Sequence, residues 1–87
     1  MQVAPSLSNL INIIVRDQSA ADMHFKLRTT TELIRVFEAY CNKKGVGIDR
    51  LKFHLGNAKP CLAHDTPNSL AMRDGDVIHA VNLLVFR

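Results

Sequence analysis

A change of apolar period within residues 23–46 constrains the fold more than any other feature of this chain. Apolar and charged side chains alternate over residues 23–28, which is typical of a strand with one face on a core. From Leu33 to Cys41 the apolar side chains recur at helical spacing. We therefore expect a helix laid across the strand and, where the two meet, a groove with an apolar floor and a basic rim.

Both ends of this helix carry local signals. Thr29 and Glu32 have the spacing of a capping box, in which each side chain satisfies a backbone amide of the other. Lys43 and Lys44 suit the negative end of the helix dipole, and Gly45 allows a left-handed exit. The sequence thus predicts a helix that starts at this box and runs to about Lys44.

The remaining segments predict strands on which the helix can pack. Residues 10–15 are β-branched and almost wholly apolar, as in a strand with neighbours on both sides, and a hairpin joins them to residues 23–28. Residues 51–55 alternate, and residues 60–62 are at best a short edge strand. Thr66 and Pro67 are placed as cap and first residue of a short helical turn before a strand that begins at Val77. The order ββαββ, short helical turn, β predicts an α+β fold.

Length and composition limit the domain organisation. A chain of 87 residues, 47% of them hydrophobic, can bury one core, so we expect a single domain over residues 10–87 after a short flexible leader, residues 1–9. Cys41 and Cys61 have no metal or redox spacing, which favours a reducing compartment. Because no stretch approaches the roughly 18 apolar residues of a membrane span, we expect a soluble intracellular protein.

No chemistry-bearing motif stands out. Cys41 could serve as a nucleophile with a histidine as base, but its position favours packing as a small hydrophobe. The four histidines share no ligand spacing, so no metal site, cofactor or enzymatic activity is expected. The net charge of +3 comes with only four Phe and one Tyr, which favours a solvated basic surface over a nucleic-acid platform.

Four blocks of the sequence resemble the SUMO family of small ubiquitin-like modifiers. They are HFKLRTTTEL at 24–33, EAYCNKKGV at 38–46, LKF at 51–53 and DTPNSLAMRDGDVI at 65–78. The AYC on the helix and the D-T-P before the short turn separate SUMO from ubiquitin itself. The resemblance implies a ubiquitin-like β-grasp roll with a mixed sheet on one main helix, a role in protein sumoylation, and a location in the nucleus and cytoplasm.

The resemblance also assigns an occupant to the groove. In the SUMO family this groove receives an extended apolar peptide, the SUMO-interacting motif, which adds a strand to the sheet edge. Carried over by position, the floor would be Phe25, Leu27, Val36, Ala39 and Tyr40, and the rim Lys26, Arg28, Thr31 and Lys43. Partners are then proteins carrying such motifs, whose acidic or phosphorylated flanks would pair with the rim cations.

Two departures separate this chain from the family pattern. The terminal glycine pair through which SUMO and ubiquitin are conjugated should fall at Phe86 and Arg87, where side chains would block the narrow tunnels of the processing enzymes. Arg73 and Gly75 interrupt a turn that is usually strongly acidic, which weakens the expected contact with the SUMO conjugating enzyme (the E2).

We therefore expect noncovalent peptide capture. A covalently conjugated SUMO modifier with a longer or processed tail is the alternative, and a basic nucleic-acid-binding module is less favoured. The apolar tail, residues 83–86, either lengthens the last strand or is covered by a partner or a second copy.

Overall fold

The structure, a computed structural model, describes residues 10–56 and 59–83. Within these residues the elements are β1 (Leu10–Arg16), β2 (Asp22–Arg28), α1 (Ile34–Lys44), a 3₁₀ helix (Ile48–Arg50), β3 (Leu51–Leu55) and β4 (Asp76–Asn82). No helix in this described part has the length and apolar character needed to cross a membrane. The predicted leader, residues 1–9, lies outside the described residues.

The four strands form one mixed sheet in the order β2-β1-β4-β3. β1 is antiparallel to β2 and parallel to β4, and β3 is antiparallel to β4. The apolar first strand and the last strand are therefore central, while β2 and β3 are edges. This confirms the predicted mixed sheet and the predicted central position of residues 10–15.

The expected short strand at residues 60–62 is reduced to an isolated bridge between His54 and Pro60. The Leu55 N–H donates to the Lys59 carbonyl at 2.8 Å, and the Cys61 N–H donates to the Phe53 carbonyl at 2.9 Å. Proline has no N–H to extend the ladder, so pairing stops at these two bonds. The segment nevertheless covers part of the outer edge of β3.

The core lies between α1 and one face of the sheet. Its buried residues are Ile11, Ile13, Val15, Leu27, Leu33, Val36, Phe37, Tyr40, Cys41, Phe53, Cys61, Met72, Ile78 and Ala80. At its centre the rings of Phe37 and Phe53 are stacked, with centroids 3.9 Å apart and planes 4° apart. Tyr40 meets the same Phe53 edge-on at 6.1 Å. This aromatic cluster fixes α1 over the β3 side of the sheet.

The start of α1 differs from the prediction, and its end agrees with it. The helix begins at Ile34 after Leu33, with no side-chain cap, so the capping box predicted for Thr29 and Glu32 is wrong. The Leu33 and Ile34 N–H groups instead donate to the backbone carbonyls of Asp65 and Ala63, at 2.8 and 3.0 Å. At the other end Gly45 adopts φ +72° and returns its N–H to the helix, as expected.

The short helical turn before β4 follows its sequence signals. The Ser69 N–H donates to Thr66 Oγ1 at 3.0 Å, and the Thr66 N–H donates to Ser69 Oγ at 2.9 Å. The Leu70 N–H donates to the Thr66 carbonyl, which is the helical spacing. Thr66 is therefore the predicted cap, and the turn brings Met72 into the core.

Candidate functional site

β2 carries one half of the candidate site because it lies at the edge of the sheet. Along it, residues facing α1 are buried or half-buried, and residues facing the opposite side of the sheet are exposed. The Asp17 N–H donates to the Ala21 carbonyl at the closed end of the β1–β2 ladder. In an antiparallel ladder, residues whose N–H and C=O groups point toward the partner strand alternate with residues whose groups point away from it. Counted from the pair Asp17 and Ala21, the N–H and C=O groups of His24 and Lys26 point away from β1, toward the open edge of the sheet.

One side of α1 supplies the other half. The stack on Phe53 turns Phe37 toward β3, the opposite edge of the sheet. At 100° per residue, Val36, Ala39 and Lys43 then share the side of α1 that is turned toward β2. Val36 is buried, Ala39 is half-buried and Lys43 is exposed. The edge strand and this side of α1 are therefore turned toward the same flank of the domain, and that they form a binding groove stays a prediction.

The nine predicted groove residues divide by exposure into three layers. Leu27, Val36 and Tyr40 are buried; Phe25, Thr31 and Ala39 are half-buried; Lys26, Arg28 and Lys43 are exposed. The half-buried side chains are thus the part of this set that solvent partly reaches, the buried ones belong to the core, and the three cations are exposed to solvent. Phe86 and Arg87 lie outside the described residues.

Two cavities, each of about 330 Å³, lie on other flanks of α1. One lies below the C-terminal end of α1, between Tyr40, Lys44 and the end of β4 at Asn82. The other lies between α1 and β3, and Phe37 and Cys61 are among its lining residues. Sequence reasoning missed both, because each is built from segments that are distant along the chain.

The cysteine chemistry is that of packed side chains. Cys41 and Cys61 are free and buried. Burial raises the pKa of both thiols, and that of Cys61 to about 11. A thiol with a raised pKa is mostly protonated at neutral pH and is a poor nucleophile. Within residues 10–56 and 59–83 no group of three or more His, Cys, Asp or Glu side chains is arranged to hold a metal ion.

Comparison with known proteins identifies the family of the chain. A sequence model of the family described as ubiquitin-2 like Rad60 SUMO-like matches residues 11–81 of the chain. The chain belongs to this SUMO-like family. As a ubiquitin-like modifier family, it consists of proteins that are generally not enzymes.

Individual relatives of the SUMO-like domain are SUMO proteins. The chain is 31% identical over 77 residues to the human protein named small ubiquitin-related modifier 4, and the matched region covers 88% of this chain and 80% of that protein. The chain is also 32% identical over 71 residues to small ubiquitin-related modifier 2 of Arabidopsis thaliana, and the matched region covers 82% of this chain and 68% of that protein.

A solved structure shows the fold of the SUMO-like domain. A ubiquitin of Caldiarchaeum subterraneum superimposes with a TM-score of 0.76 at 15% identity, covering 84% of this chain and 92% of that one. At that identity the likeness speaks for the fold alone. The predicted ubiquitin-like β-grasp fold is confirmed.

Proposed function

We propose that this SUMO-like domain binds extended apolar peptides of the SUMO-interacting-motif type noncovalently along the open edge of β2. The observation that carries the proposal is the position of β2 at the sheet edge, beside the half-buried side of α1. An edge strand offers backbone N–H and C=O groups to an incoming strand. An added peptide strand gains affinity from these main-chain bonds, and its alternate side chains are selected by the adjoining pockets.

The side chains around this edge define the kind of peptide that fits. Phe25 and Ala39 are half-buried apolar contacts that suit aliphatic side chains at alternate peptide positions. Lys26, Arg28 and Lys43 are exposed cations around them. Acidic or phosphorylated residues flanking the apolar core of the peptide would form charge-assisted bonds with these cations.

The proposal is tested by NMR titration of the ¹⁵N-labelled chain with a peptide of four aliphatic residues flanked by aspartates. Shift changes are expected to cluster at residues 25–28 and 36–43. Changes centred on β3, or none at millimolar peptide, would refute the assignment. Phe25→Ala should weaken binding while the amide spectrum stays folded, because this side chain is only half-buried.

Two lysines make a matched pair for the electrostatic part. Lys26 is exposed on the edge strand β2, and Lys52 is exposed on the opposite edge strand, β3. Lys26→Glu should weaken binding of the aspartate-flanked peptide. Lys52→Glu changes the net charge equally and should leave the binding unchanged. Equal losses would mean that only the overall charge of the domain matters.

Covalent conjugation is a second candidate, favoured by the modifier names of the relatives. Incubation with SUMO activating enzyme and ATP should produce a thioester-linked band if the chain is a substrate. A chain that binds the peptide and forms no such band supports capture alone. Action in the nucleus and cytoplasm is part of the same proposal, and imaging of a tagged chain tests it.

The SUMO conjugating enzyme is a weaker proposed partner. Asp74 Oδ1 accepts the Asn12 N–H at 2.7 Å, and Asp76 Oδ2 accepts the Arg73 N–H at 2.8 Å. Both carboxylates are thus engaged by the backbone of the domain itself, which lowers their availability to a basic partner. We expect weak binding that an Arg73→Glu substitution in the same turn strengthens, measured by calorimetry, because Arg73 is exposed and its replacement makes the turn more acidic.

A further inference from the structure

Four residues form one row across the whole sheet. The strand register pairs Asp22 with Arg16, Arg16 with His79, and His79 with His54. Directly paired residues point to the same side of a sheet. Their neighbours in sequence on β1, β3 and β4 are buried against α1, so the row lies on the opposite face. One end of the row is an ion pair, and the other is a pair of imidazoles.

The two imidazoles lie face to face. The ring centroids of His54 and His79 are 5.2 Å apart and the ring planes differ by 20°. His54 Nδ1 is 2.8 Å from the Leu55 carbonyl oxygen. Because a carbonyl can only accept, Nδ1 carries the proton, and Nε2 of the neutral ring keeps its lone pair. A histidine held in this way through its other ring nitrogen is pre-oriented as a metal ligand.

The surroundings of the pair suit a cation. The Arg16 guanidinium donates two bonds to the Asp22 carboxylate, at 2.7 and 3.1 Å, so its charge is compensated. A cavity of about 130 Å³ borders both imidazoles. That volume accommodates an ion with some of its water. Among the described residues, no hydrogen bond holds the His79 ring, so this ring can turn toward His54.

We propose that His54 and His79 together bind a divalent ion of the Zn²⁺, Ni²⁺ and Cu²⁺ class through one nitrogen each. Imidazole is a preferred ligand of these ions, and water completes their coordination. Metal–nitrogen bonds of about 2.0–2.1 Å require the two stacked rings to tilt toward each other. Rotation of the His79 ring provides this tilt. Two protein ligands make an exchangeable site rather than a structural one. The site is independent of peptide capture, because it includes neither β2 nor α1.

Titration of the full labelled chain with NiCl₂ in a non-chelating buffer tests the proposal. Paramagnetic broadening should start at the ring signals of His54 and His79 and be reversed by a chelator. His54→Gln or His79→Gln should each lower the affinity at least about tenfold, because the remaining imidazole loses the effective concentration of its partner.

The other two histidines provide matched controls. His24 and His64 are exposed and lie outside the pair, so His24→Gln and His64→Gln should leave nickel affinity unchanged. The proposal is overturned by broadening centred elsewhere in the chain, by equal losses in all four variants, or by no broadening at millimolar Ni²⁺. Amide spectra of each variant establish that it is folded, since all four substitutions replace side chains that are not buried.

Discussion

The Nζ atom of Lys44, in the last turn of α1, lies 3.0 Å from Oδ2 of Asp17 in the β1–β2 turn. Oδ1 of the same carboxylate accepts the Ser19 hydroxyl at 2.6 Å and the backbone N–H groups of Ser19 and Ala21. These contacts, the Ser19 hydroxyl foremost, lower the pKa of Asp17 well below its ordinary value. One aspartate therefore joins the hairpin turn to the end of the helix.

This contact predicts a loss of stability in acid. Since the pKa of Asp17 is lowered on folding, the unfolded chain binds the proton more readily, and the carboxylate stabilises the fold above its ordinary pKa. That contribution is complete above about pH 5 and disappears as the pH falls below the ordinary value of about 3.9 toward the lowered one. Urea unfolding at pH 7, 5, 4 and 3 should show the gap between wild type and Asp17→Asn shrinking with acid. A stability difference that stays constant with pH would contradict this prediction. The Asp49→Asn variant is the control for the loss of one carboxylate elsewhere in the chain.

The Phe37–Phe53 stack predicts a large cost for truncation. Phe37 is 4% exposed and its ring lies flat on Phe53. Phe37→Ala should lower the free energy of unfolding by about 3–5 kcal/mol, the usual range for a buried phenylalanine. Urea denaturation measures this. Phe37→Leu, which refills part of the volume, should cost clearly less, and equal costs would argue against a well-packed stack.

Replacement of Gly45 should destabilise the fold through the backbone conformation alone. Its φ is +72°, and a Cβ placed on it would meet nothing within 4 Å. Gly45→Ala should therefore cost about 1–2 kcal/mol from the left-handed backbone alone. Gly56 is the matched control, because its added Cβ also meets nothing and its φ is not positive. Gly56→Ala should be neutral or slightly stabilising, and similar thermal shifts for the two variants would refute the argument.

The buried thiols predict slow modification in the folded state. The pKa of Cys61 is raised to about 11 by burial, so at pH 8 only about one thiol in a thousand is ionised. Reaction with a disulfide reagent at pH 8 should be slow for the native chain and accelerate on addition of urea. A native rate equal to the rate in urea would show that the thiols are accessible.

Local patterns predicted those elements whose hydrogen bonds are local. The alternation of β2, the Gly45 exit of α1 and the Thr66 cap agree with expectation, because each depends on residues within one turn or one strand. The predicted start of α1 was wrong because the hydrogen bonds at this end of the helix are not local. Its first N–H groups are satisfied by carbonyls of residues 63 and 65, about thirty positions away, and no local rule includes them.

The candidate groove shows the same division. Sequence pattern and family resemblance assigned nine residues to it, and both this assignment and their role in peptide binding stay predictions. The structure decided their depth: Leu27, Val36 and Tyr40 are buried in the core, and Phe25 and Ala39 reach the surface. Periodicity identifies the apolar side of an element, but exposure depends on what packs against it.

The sequence by itself determined the family, the order of the four strands and the helix, and the side of β2 and β3 that faces the core, since periodicity and local turn chemistry are properties of neighbouring residues. The tertiary structure alone decided which distant residues meet. His54 and His79 show no ligand spacing, yet the β3–β4 register places them opposite each other. Strand register arises from packing of the whole core, and for that reason spacing along the chain did not reveal the pair.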